Sequence, residues 1–100
     1  MQNRVKEFIE KNGLACSETA RYLDLISEVG ELGKEILKST NYGQQAYVRR
    51  DGAEEEMGDC LFALLALCSA LDIDAEAALT RVLDKYSRRL DVAGTVSSGR

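Results

Sequence analysis

The chain is 100 residues long and carries 17 Asp and Glu against 13 Lys and Arg, a formal net charge of -4, with no histidine, proline or tryptophan. That length supports one domain, burying about two-thirds of its unfolded surface in a single modest core that leaves room for a partner subunit. Without histidine there is no Ser-His-Asp or Cys-His catalysis, no histidine-bridged zinc and no Glu-x-x-His di-iron centre, so metal chemistry must rest on oxygen ligands.

The absence of proline and the apolar spacing predict helices throughout. Val5, Phe8 and Ile9 fall at i, i+3 and i+4 of a first helix, which Gly13 can end in the left-handed conformation. Ser17 has N-cap character for a second helix, where Leu25, Val29, Leu32 and Ile36 form a stripe. Between Ser39 and Arg50 the chain turns polar and reads as a loop. Asp51-Gly-Ala-Glu54 has capping-box form and opens a third helix running to about Leu71. The second half of that helix, from Leu61 to Leu71, is apolar on nearly every face, which predicts an oligomer interface in so short a chain. Beyond a break at Asp72-Ile-Asp74, the apolar series Leu79, Val82, Leu83, Tyr86 and Leu90 marks a fourth helix. The expected architecture is an all-α bundle of four helices, with residues 1–91 as one domain and 92–100 as a flexible tail.

Cys16, Cys60 and Cys68 include no C-x-x-C spacing and suit small buried hydrophobes in a reducing compartment. The first residues lack the apolar core of a secretory signal, and the longest apolar stretch covers about eleven positions where a membrane span needs roughly twenty. A cytoplasmic protein engaging neither membrane nor nucleic acid polymer is the expectation, the acidic balance being unsuited to a phosphate backbone.

Two acid pairs carry the chemical signal. Glu28-Val-Gly-Glu31 lies on the second helix and Glu56-Met-Gly-Asp59 on the third. The i, i+3 spacing directs both members of each pair from one face, where two side chains can converge on a cation. Each pair encloses a mid-helix glycine, Gly30 or Gly58, at a cost of roughly 0.8–1 kcal/mol relative to alanine, which predicts close approach of the two helices there. Both pairs abut the core stripes, through Val29 and Leu32 on one side and Met57 and Leu61 on the other. Four facing carboxylates need positive charge between them at neutral pH, and hard divalent cations fit: Mg²⁺ first, with Mn²⁺ as substitute. A solvated ring of acids on a non-catalytic helical dimerisation module is the competing expectation.

Glu-x-x-Glu followed by Glu-x-x-Asp on the next helix resembles the all-α nucleotide pyrophosphohydrolases. The words Glu28-Val-Gly-Glu31-Leu, Glu55-Glu56-Met-Gly-Asp59, Leu71-Asp-Ile-Asp74 and Lys85-Tyr-Ser-Arg88-Arg89 look like the MazG-like branch, over roughly positions 4 to 90. The resemblance implies Mg²⁺-dependent cleavage of a nucleoside triphosphate between the α and β phosphates, in a homodimer or tetramer, with Glu28, Glu31, Glu56 and Asp59 as metal ligands. The related phosphoribosyl-ATP pyrophosphatase activity shares that fold and chemistry. Many relatives carry a further glutamate just before the first motif where this chain has Ser27, so Glu35, Glu55 or a metal-bound hydroxide is left to act as base. Lys85 with Arg88 or Arg89 could reach triphosphate oxygens, or could form a solvated basic face. Tyr42 and Tyr47 in the loop are candidates for stacking on a nucleobase.

Overall fold

The computed structural model describes residues 1–93. Four helices follow one another: α1 (Gln2–Lys11), α2 (Glu18–Ser39), α3 (Gly52–Ala70) and α4 (Ala75–Ala93). No strand occurs among the described residues, and none of their helices is long and apolar enough to cross a membrane. The last helix continues through Val92 and Ala93, two residues into the segment expected to be a tail; the remainder of that segment lies outside the described residues.

Each helix boundary has a local cause. Gly13, at φ +63°, ends α1 with its N–H donating to Glu10 O while the Leu14 N–H donates to Ile9 O, the paired bonds of a Schellman motif. Ser17 caps α2, its Oγ accepting from the Ala20 N–H at 3.1 Å. The same C-terminal device recurs without glycine. Asn41 (φ 48°) ends α2 with the Tyr42 N–H donating to Leu37 O, and Asp72 (φ 56°) ends α3 with the Ile73 N–H donating to Cys68 O. Asp74 then caps α4 through the Ala77 N–H at 3.1 Å.

The anticipated capping box at Asp51 does not form. Asp51 already has helical dihedrals and makes no side-chain cap bond, so its carboxylate cannot turn back to the free N–H groups. Glu54, the other half of the box, pairs outward with Arg49 at 3.1 Å. The start of α3 instead receives a carboxylate from α2, that of Glu35.

Packing within the chain is uneven. The principal interface joins α2 to α3, and α1 lies on α3 with the Phe8 ring edge-on to Phe62 (centroids 6.0 Å apart, planes at 89°). In contrast, α4 makes little contact with the other helices. Its start is tied down by Gln2, whose Nε2 donates to Ser69 Oγ and Ile73 O while its Oε1 accepts from the Ala75 N–H. That last N–H is one of the unpaired donors every helix start presents.

Among the described residues the buried apolar side chains are Ala63, Leu65 and Ala66, all on α3. Leu79, Leu83 and Leu90 of α4 stay about half exposed, as do Leu23, Ile26 and Val29 of α2. A radius of gyration of 16.7 Å exceeds the ~13 Å of a closed 100-residue globule. The cysteines depart from the expectation of burial: Cys16 is exposed, while Cys60 and Cys68 are half-buried, all three unpaired.

The Gln2 bridge yields a measurable expectation. Gln2→Ala leaves the Ala75 N–H and Ile73 carbonyl without this partner and should lower unfolding free energy by about 1–2 kcal/mol. Urea denaturation followed by circular dichroism reads the difference.

Candidate metal centre on the α2–α3 seam

A carboxylate can meet another across two helices only if both lie on facing stripes in matching register. On α2, Glu28 and Glu35 are two turns apart on one face; on α3, Gly52, Glu56 and Asp59 share a face. Glu35 lies against Gly52 and Glu28 lies near Glu56 and Asp59, so the helices run antiparallel, and seven residues along one match seven residues back along the other. Carboxylate oxygens of Glu28, Glu56 and Asp59 lie within 4.8 Å of one another. Glu28 and Glu56 are half-buried; Asp59 is exposed.

Electrostatics follow from that grouping. Loss of water raises the Glu28 carboxyl above its ordinary 4.5, and the charges of Asp59, Asp24, Glu56 and Glu31 add to the effect. Glu56 is raised for the same leading reason, then by Asp59, Glu31, Glu55 and Glu35. The Cys60 thiol beside them is raised by burial and by the charges of Glu28, Glu56 and Asp59, which keeps it protonated. Three oxygen donors with unrelieved negative charge suit a hard divalent cation and offer nothing to a soft one.

Glu31, the fourth expected ligand, stands apart from the grouping of three. It is exposed and lies 3.9 Å from Lys34, although its charge is felt at both Glu28 and Glu56. The mid-helix glycines do not mark a close helix crossing: a Cβ added to Gly30 or Gly58 would meet nothing within 4 Å. Gly58 instead faces open space beside Asp59. A groove of about 770 Å³ between α1 and α3 opens there, with Phe8, Phe62 and Leu65 on its apolar wall and Arg4, Gly58 and Asp59 among its other lining residues.

The two candidate bases occupy opposite environments. Glu55 is exposed, next to Glu56, whereas Glu35 is 9% exposed, with Ser39 Oγ at 3.5 Å and Arg50 Nε at 3.8 Å from its Oε2. Among the described residues no salt bridge joins Lys85 or Arg88 to the acids; Lys85 Nζ sits 5.3 Å above the ring of Tyr86. Arg89 is half-buried on the same helix. Tyr42 and Tyr47 are exposed on the loop between α2 and α3. Sequence spacing alone passed over Asp24, although its place four residues before Glu28 put it on the same face. It also passed over Arg50, whose partner Glu35 is distant in sequence.

Residues 17–92 match the model of the MazG nucleotide pyrophosphohydrolase domain, which runs from the Ser17 cap almost to the end of α4. The chain belongs to the MazG family. Its activity is thus hydrolysis of a nucleotide pyrophosphate linkage. The chain is 37% identical over 76 residues to the uncharacterized protein YpjD of Bacillus subtilis (strain 168), covering 73% of this chain and 67% of that protein. It superposes on the crystal structure of B. subtilis YpjD with a TM-score of 0.72 and 35% identity, over 88% of this chain and 90% of that one. The crystal structure of the Bacillus-conserved MazG protein, a nucleotide pyrophosphohydrolase, matches with a TM-score of 0.71 and 32% identity, over 86% and 84% of the two chains. This MazG domain is all-α like those, and its acid pairs fall within the matched segment.

The raised carboxyls predict a pH signature for the metal-free protein. Above the ordinary value of 4.5, the unfolded chain has released protons that native Glu28 and Glu56 still hold. The native state then binds more protons, so this contribution to stability falls as pH rises through the raised values. Between about pH 5 and about pH 8, the chelator-treated wild type should lose more melting temperature than Glu28→Gln. Differential scanning calorimetry checks the difference in slope.

Proposed function

We propose that this protein is an Mg²⁺-dependent nucleoside triphosphate pyrophosphohydrolase, releasing the nucleoside monophosphate and pyrophosphate and so clearing unwanted or excess nucleotides. The observation that carries the reading is the convergence of Glu28, Glu56 and Asp59 oxygens within 4.8 Å. These three residues would hold the cation, with Glu31 one turn along α2 as a further ligand. When bound, a divalent cation supplies charge neutralisation on the phosphate oxygens and a lowered pKa for the attacking water.

The chain's own groups have separate tasks. Glu55 is the exposed candidate base and would take the proton of the attacking water, since Glu35 is enclosed by Ser39, Arg50 and Gly52. Lys85 with Arg88 or Arg89 would bind the phosphates, the planar guanidinium being suited to bidentate contact. The groove beside Asp59 offers room for the nucleoside, and Tyr42 and Tyr47 are the candidates for stacking on its base.

A homo-oligomer completes the proposal. With α4 little packed in its own chain and Leu79, Leu83 and Leu90 half exposed, a second copy is the natural cover for that face. A homodimer or tetramer in the reducing cytoplasm accords with the three unpaired cysteines.

Incubation with a panel of NTPs and dNTPs and Mg²⁺ should give monophosphate and pyrophosphate; orthophosphate as the product would contradict the proposed bond. Glu28→Gln and Asp59→Asn should each lower turnover by at least about a hundredfold with helical content unchanged by circular dichroism. Sedimentation velocity should give a mass of at least twice 11.0 kDa, and Leu83→Asp should reduce it.

A further inference from the structure

Glu35 is the most buried charged side chain among the described residues, and it sits at a geometrically decisive place. A Cβ built on Gly52 would overlap Glu35 Oε1 and lie 3.2 Å from Glu35 Cδ. The carboxylate therefore occupies the space that any other residue's side chain would take at the first position of α3. While Oε1 faces Gly52, the other oxygen, Oε2, accepts from Ser39 Oγ at 3.5 Å and lies 3.8 Å from Arg50 Nε. The first turn of a helix presents unpaired N–H groups and the positive end of its dipole, which favours a carboxylate at that spot.

The register of the seam turns on this contact. Glu35 is seven residues beyond Glu28, and Gly52 is seven residues before Asp59, so the two ends of one antiparallel pairing are the Glu35–Gly52 contact and the acid grouping. Glu56 lies one turn beyond Gly52 on the same face of α3. A slip or tilt of the α3 start would move Glu56 and Asp59 relative to Glu28. We infer that Glu35 is a positioning residue: its carboxylate, seated against Gly52, sets where Glu56 and Asp59 stand relative to Glu28. Residues that orient metal ligands in this way influence cation affinity without touching the cation.

The inference rests on the proposed metal site, and its test separates the two. Mn²⁺ binding is titrated without nucleotide, by the loss of its free-ion electron paramagnetic resonance signal, on the wild type, Glu35→Ala, Gly52→Ala and Glu35→Gln. Turnover at saturating Mg²⁺ is measured alongside. Glu35→Ala removes the wedge, and Gly52→Ala puts a methyl in its place; each should weaken Mn²⁺ binding about tenfold. Glu35→Gln keeps the side chain's volume and should bind Mn²⁺ and turn over within about threefold of wild type. Loss of turnover in Glu35→Gln with metal binding intact would make Glu35 the base and overturn the positioning role. Wild-type affinity in both Glu35→Ala and Gly52→Ala would overturn it as well, leaving the metal site standing. A wild type that binds no Mn²⁺ would overturn the site and the role together. If either alanine variant loses its helical signal, the other and Glu35→Gln decide the matter.

Discussion

Like charges held close together across a helix interface are the constraint on which this structure depends. Glu28, Glu56 and Asp59 come within 4.8 Å of one another at a half-buried seam, where loss of water and then repulsion favour the protonated forms of Glu28 and Glu56. No fold gains stability from such a grouping by itself. The helix packing must hold it in place, and the buried apolar residues, Ala63, Leu65 and Ala66, lie further along α3 toward its C-terminus. The acids lie between those residues and the buried Glu35 and Ser39 at the other end of the seam, with Asp59 exposed to solvent.

The same economy explains the lopsided packing. A chain of this length has enough apolar surface for about one core. Much of that surface stays about half exposed on α2 and α4, as Leu23, Ile26, Leu79 and Leu83 illustrate. The match to the MazG domain model and the superposition on two Bacillus crystal structures place the chain among the nucleotide pyrophosphohydrolases.

Local codes were legible wherever their partners lay within one or two turns. Ser17, Gly13 and the break at Asp72-Ile-Asp74 behaved as their residue types dictate, because a cap or a Schellman turn is closed by the next few residues. Asp51 makes no cap bond because its own backbone is already helical, and the carboxylate beside the start of α3, that of Glu35, comes from another helix. The glycines show the same divide. Gly30 and Gly58 looked like contact points yet have open space around them, while Gly52, unremarked in the pattern, is where a neighbouring side chain intrudes.

The amino-acid sequence by itself determined the four helices and the two i, i+3 acid pairs with their family resemblance. Helical periodicity and side-chain chemistry are local properties, so they can be read along the chain. Only the tertiary structure decided that Glu31 stands outside the closest grouping, that Glu35 is enclosed while Glu55 is open, and that α4 makes little contact with the other helices. Each of these depends on the register between helices, which arises from contacts between residues distant in sequence, such as Glu35 with Gly52.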